Sequence, residues 1–194
     1  MDLSSPAFQL EIAANVAAAA SILLAGRNSV HGWWLSLIAG ALLALLFLHA
    51  RLYGQVALQG FFIVVGALGW WQWLRGDGGA PLPITRMPKR AWPWLALLVV
   101  VAVPGQGWLL AHYTDGHAPY ADAAMLVLSM IGQLMMMRRK LECWWVWLLV
   151  NSIAVPLYYS GGLYVTTLLY VGFWINAVVA LRHWRRLMHR HAAG

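Results

Sequence analysis

Four residues in one stretch have the types and spacing for binding chemistry: Trp144, Trp147, Asn151 and Tyr158. At about 100° per helical residue they fall within roughly 60° of one another, while Trp145 points about 100° away. One helix face would then carry two indoles, an amide and a phenol in a row. An indole face attracts a desolvated cation by about 2 kcal/mol, and an Asn amide offers both donors and acceptors. Such a set suits a delocalised cation. The same pattern also fits two tryptophans packing a core and an Asn bridging two helices. Periodicity alone leaves both readings open.

Gln59 shares a helical face with Gln55, Phe62 and Gly66. Tyr170 and Trp174 stand one turn apart in a later apolar stretch. These could also grip a small molecule, the alternative being interhelical hydrogen bonds worth about 0.6 kcal/mol each. Asn15, Gln133 and Asn176 are read as such links between helices. Pro156 breaks the helix that carries Asn151, because proline removes an i→i−4 hydrogen bond, and is a hinge candidate. Pro104, Gly105 and Gly107 interrupt another helix.

Other chemistry is missing. Histidines 31, 49, 112, 117, 183, 189 and 191 lie near the ends of apolar stretches or between them, so no metal or haem site is expected. No nucleophile elbow, zinc-protease pair or phosphate-binding loop occurs. The expectation is that the chain is not an enzyme and binds no cofactor. Cys143, the lone cysteine, excludes an internal disulfide and any cysteine-based metal cluster.

The elements that must position these residues follow from composition. Of 194 residues, 62% are hydrophobic and only 10% charged, with mean hydropathy +0.67. Soluble domains carry about 25% charged residues, so this is an all-α membrane protein. Windows of about 20 apolar residues predict seven transmembrane helices, over 9–26, 30–49, 52–74, 91–111, 118–137, 142–160 and 162–182. The Gly-, Pro- and charge-bearing segment 75–90 reads as an exposed linker. The N-terminus, with Asp2 and Glu11 and no basic leader, predicts no cleaved signal peptide. Placing the C-terminus inside puts 12 of 13 Lys and Arg on the cytoplasmic side, all but Arg51. That asymmetry predicts an outside N-terminus. The cations also punctuate apolar runs instead of forming one binding face, which argues against nucleic acid. Trp70, Trp71, Trp73, Trp92 and Trp94 flank the linker as an interfacial belt.

Sliding the chain on itself by 111 residues aligns Arg27 with Arg138, Trp33–Trp34 with Trp144–Trp145, and Leu52–Tyr53 with Leu163–Tyr164. It also aligns Phe62 with Phe173, Trp73 with Trp184 and Arg75 with Arg186, while Gln59 falls on Tyr170 and Gln55 on Thr166. The match predicts two parallel three-helix repeats joined by a connecting helix. The expected divisions are 1–76, a linker and fourth helix over 77–117, 118–186, and a basic tail over 187–194. Parallel repeats characterise one class of transporters, with substrate held at the repeat interface. No Asp or Glu lies near the middle of a span, and Glu11, Asp122 and Glu142 sit close to span ends. Ion-coupled carriers usually place an ionisable group on the pathway, so a uniporter is expected. A membrane scaffold or sensor is the rival class, and would tolerate changes at Trp147 and Asn151.

The 3+1+3 plan resembles the SWEET-type fold. The residues resemble the bacterial PnuC-type nicotinamide riboside transporter family, through LYGQVALQGFFIVVGALGWWQW (52–73) and Arg139, Lys140, Glu142, Trp144, Trp147 and Asn151 of 133–151. GGLYVTTLLYVGFWINAVVALRHW (161–184) adds to the match. The resemblance implies facilitated uptake of nicotinamide riboside across the inner membrane, with direction set when a cytoplasmic kinase, needing no contact, phosphorylates the substrate. It implies thiamin as the alternative cargo of this chain and riboflavin as cargo in other relatives, ligand contact at Trp147 and Asn151, and a homotrimer surrounded by lipid. Glu142 belongs to the family pattern and is a gate candidate, the alternative being an ion pair with Arg138, Arg139 or Lys140.

Overall fold

The computed structural model describes residues 6–49, 53–77, 82–114, 118–162 and 164–192. Asp2, Arg51, Leu52, His117 and Leu163, used above, lie outside the described residues. Seven α-helices follow one another: α1 (Pro6–Gly26), α2 (His31–His49), α3 (Tyr53–Arg75), α4 (Trp92–Tyr113), α5 (Pro119–Met137), α6 (Cys143–Ser160) and α7 (Tyr164–Ala192). A single 3₁₀ turn, Lys89–Ala91, precedes α4. The ends have local causes. Proline in the first turn, where its missing N–H costs nothing, starts α4 and α5. Gly76 (φ 65°) follows α3 and Gly162 (φ 74°) follows α6, each taking the left-handed conformation that glycine allows.

The turns after α1 and α5 are built alike. The Asn28 and Ser29 N–H groups donate to the Ala25 and Leu24 carbonyls at 2.9 Å, and those of Arg139 and Lys140 donate to Met136 and Met135, also at 2.9 Å. Gly32 then donates to Ser29, and Cys143 to Lys140. Both turns are Schellman caps, and their pivots are the described non-glycine residues with positive φ, Asn28 (58°) and Arg139 (47°). Asn visits this region readily, whereas Arg does so at a cost of about 1 kcal/mol or more. Arg139 is also buried, which pushes its guanidinium down to about 10, still cationic at neutral pH.

The chain forms two compact units, 1–83 and 84–194. In the first, α1 packs on α2 and α2 on α3; in the second the packing runs α4 to α5, α5 to α6 and α6 to α7. The fourth helix thus packs within the second unit. Small residues line these contacts: Ala14, Ala39 and Gly40 in the first unit, and Ala123, Gly132, Ala154, Ala177 and Ala180 in the second are buried. Between lipid-facing helices there is no hydrophobic driving force, so close packing of small side chains does the work. Large apolar groups face outward instead, with Val165 86%, Trp94 73% and Leu168 73% exposed. Such a surface, on helices long and apolar enough to cross a membrane, suits contact with hydrocarbon.

By length and composition six of the helices can cross a membrane; α6, with 18 residues rich in Trp and Tyr and holding Asn151, is the exception. Expected and observed helix bounds agree within three residues except at the end of α7, which continues to Ala192. Residues 187–192 of the expected basic tail are therefore helix: Arg182, Arg185, Arg186 and Arg190 are exposed while Leu181 and Trp184 are buried, an amphipathic continuation of α7.

Candidate functional site

The α6 face picked out by periodicity is the face turned inward. Trp144 is 1% and Asn151 4% exposed, Trp147 and Tyr158 are half-buried, and Trp145 is 54% exposed. Trp144 packs edge-on against Trp184 of α7, with ring centroids 5.4 Å apart at 82°. Trp33 and Trp73 of the first unit make the same contact, at 5.4 Å and 76°. Trp147 lies over Gly132 of α5: a Cβ built on that glycine would stand 3.2 Å from the indole Cε2 and 3.4 Å from Nε1.

Two donors on this face are unused. The Nε1 groups of Trp144 and Trp147 are shielded from solvent and have no hydrogen-bond partner among the described residues. A buried donor left unmade costs about 1–3 kcal/mol, so each calls for an explanation. An acceptor on a bound molecule, such as a carboxamide oxygen or a hydroxyl, would satisfy one of them.

The expected residues do not all meet at one place. Trp144 and Tyr158 are fourteen residues apart, roughly 21 Å along a helix, which exceeds the length of a nucleoside. The inner group is Trp147 with Asn151. Farther along, Tyr158 meets Tyr170 of α7 (centroids 4.9 Å apart), and Tyr170 meets Phe173 at 5.6 Å, giving an aromatic cluster. Trp174 is turned elsewhere: it donates its Nε1–H to Ser152 Oγ at 3.1 Å and lines a mostly apolar cleft of about 300 Å³ with Ser152, Val155, Pro156 and Val171. Pro156 has no N–H to give the Ser152 carbonyl, so the helix is weakened beside this cleft.

In the first unit Gln59 is half-buried, and its Oε1 comes within 3.7 Å of a Cβ built on Gly40, so the amide is aimed at α2. Asn15, expected as a link between helices, donates to the Glu11 carbonyl of its own helix at 2.9 Å. Gln133 and Asn176 are half-buried. Glu142 accepts the Met87 N–H at 2.9 Å, while Lys140 Nζ donates to Thr85 Oγ1 at 2.8 Å. Among the described residues no three His, Cys, Asp or Glu gather where they could hold a metal. Gly132, Ser152 and Thr85 are the contributors that sequence reasoning missed, since small or hydroxyl side chains carry no pattern of their own.

The family model described as nicotinamide mononucleotide transporter matches residues 9–186. The nicotinamide riboside transporter PnuC of Escherichia coli strain K12 is 27% identical to this chain, with 90% of this chain and 84% of that protein covered. The riboflavin/roseoflavin transporter RibM of Streptomyces davaonensis is 25% identical, with 90% and 83% covered. A crystal structure of the vitamin B3 transporter PnuC has the same fold, with a TM-score of 0.74 at 22% identity, over 94% of this chain and 83% of that one.

Proposed function

Since the chain belongs to the nicotinamide mononucleotide transporter family, we propose that it carries nicotinamide riboside across a bacterial inner membrane by facilitated diffusion. The unpartnered Trp147 Nε1–H beside buried Asn151 is the observation that carries this reading. The pyridinium ring would stack on the indole, where a desolvated cation gains about 2 kcal/mol. The carboxamide and ribose would take the amide of Asn151 and the indole N–H. The Tyr158–Tyr170–Phe173 cluster, about two helical turns beyond Asn151, would serve as a second station along the path. Trp144, locked against Trp184, would brace the inner station.

The unit-by-unit recurrence of the Schellman turn and of the tryptophan pair, each shifted by 111 residues, supports a parallel 3+1+3 repeat of the SWEET-like kind. Seven spans would place the N-terminus outside and the basic end of α7 in the cytoplasm. No carboxylate sits mid-span to couple an ion, which favours uniport made directional by a cytoplasmic kinase acting on the delivered substrate. A trimer in lipid is the assembly that the family resemblance implies.

The riboflavin-carrying relative favours a second reading, in which the same stacking face takes an isoalloxazine. Calorimetric titration of the detergent-solubilised protein with nicotinamide riboside, riboflavin and thiamin separates these. Riboside binding that is lost in Trp147→Ala and Asn151→Ala supports the proposal. Binding of riboflavin or thiamin alone keeps the site and changes the cargo; binding of none, with both variants folded, favours a scaffold.

A further inference from the structure

The segment 84–88, which leads into α4, is seated on the turn that starts α6. Thr85 donates its N–H to the Arg139 carbonyl at 3.1 Å and accepts the Leu141 N–H at 2.9 Å. Two side chains reinforce the bridge: Lys140 Nζ reaches Thr85 Oγ1 at 2.8 Å, and a Glu142 carboxylate oxygen takes the Met87 N–H at 2.9 Å. Ile84, at the head of the segment, is buried.

Glu142 occupies the N-cap of α6 and yet makes no side-chain cap. Its negative charge sits where the helix dipole favours it, and its hydrogen bond is spent on a residue 55 positions away. Lys140 likewise turns from its sequence neighbour Glu142 to a hydroxyl equally distant in sequence. The turn itself does not need this help. The turn after α1 forms the same backbone bonds with Asn28, Ser29, Val30 and His31 in place of Arg139, Lys140, Leu141 and Glu142. There Ser29 Oγ accepts the His31 N–H, a purely local contact.

The consequence of the bridge lies beyond the turn. α4 packs on α5 and α5 on α6, but α4 and α6 do not pack on each other. Segment 84–88 is thus a direct tie between the start of α4 and the start of α6. Trp147 and Asn151 follow Glu142 by about 7 and 13 Å of helix rise, with a rigid helix between. A tie at that end fixes how deep and at what rotation they are presented.

We propose that Lys140 and Glu142 are positioning residues for transport, latching segment 84–88 so that α6 holds Trp147 and Asn151 in register with the substrate. This rests on the reading of those two residues as the binding face. It differs from a gate, because the latch is built from a backbone bridge and stays closed through the cycle.

Riboside uptake into proteoliposomes tests it. Charge-assisted bonds to backbone N–H groups are among the stronger ones, so Glu142→Ala is expected to raise KM about tenfold with maximal rate within about twofold. Glu142→Gln keeps an oxygen acceptor for Met87 and should stay within about twofold of wild type throughout. Should Glu142→Ala fail to fold, Thr85→Val removes only the Lys140 contact and should raise KM about threefold. The latch is refuted by a KM unchanged in Glu142→Ala, by Gln failing as badly as Ala, or by a loss of maximal rate alone, which is the signature of a gate. If wild type carries no riboside, the transport reading fails, and hydrogen exchange still judges the latch. The Thr85, Met87 and Leu141 amides must be protected in wild type, and in Glu142→Ala the Met87 amide and the first turns of α6 must lose protection.

Discussion

Gly132→Ala probes the inner station without replacing a substrate-facing side chain. The added methyl would stand 3.2 Å from Cε2 of the Trp147 ring and 3.4 Å from both Nε1 and the Val146 side chain. Carbon atoms rest at about 3.5–4.0 Å, so the ring or the helix must give by a few tenths of an ångström. Overpacking of this kind costs about 1–3 kcal/mol, offset by the roughly 0.8–1 kcal/mol that Ala gains over Gly in a helix. The net loss of stability is therefore about 0–2 kcal/mol, and the protein stays folded. Binding should respond more than folding, because a shifted indole loses part of both its stacking and its N–H geometry: a rise of about three- to tenfold in the riboside Kd corresponds to roughly 0.7–1.4 kcal/mol. Gly172→Ala is the matched control, since a Cβ there meets nothing within 4 Å. It should bind as wild type and melt no lower. Calorimetric titration and thermal unfolding of both variants decide the matter. If Gly132→Ala binds the riboside as tightly as wild type, Trp147 is not held against α5 in the binding state and the reasoning fails.

Two further substitutions test backbone features. Arg139 and Asn28 are the pivots of matching turns with positive φ, so Arg139→Gly and Arg139→Asn should both be more stable than Arg139→Ala, by about 1 kcal/mol; equal unfolding midpoints for all three would mean that the turn stores no strain. Pro156→Ala would restore the N–H that the Ser152 carbonyl lacks and stiffen α6 beside the cleft it shares with Trp174. The expected outcome is slower riboside flux in both directions with affinity within about twofold, and unchanged flux would remove Pro156 as a hinge.

Sequence alone determined where the helices run. An apolar stretch in a membrane must satisfy its own backbone groups, so composition fixes helix, and prolines and glycines at Pro119, Gly76 and Gly162 mark the ends. The inward face of α6 was also legible, because helical period is a property of local sequence: Trp144 and Asn151 are buried and Trp145 is not. Local sequence could not place the end of α7, where a charged stretch stays helical because Leu181 and Trp184 keep one side packed. Nor could it show that Trp174 bonds Ser152, that Gly132 gives room to Trp147, or that Glu142 reaches Met87. Each of these pairs residues on different segments. Chain spacing says which side of a helix a residue occupies, but what stands opposite is decided only when the helices pack.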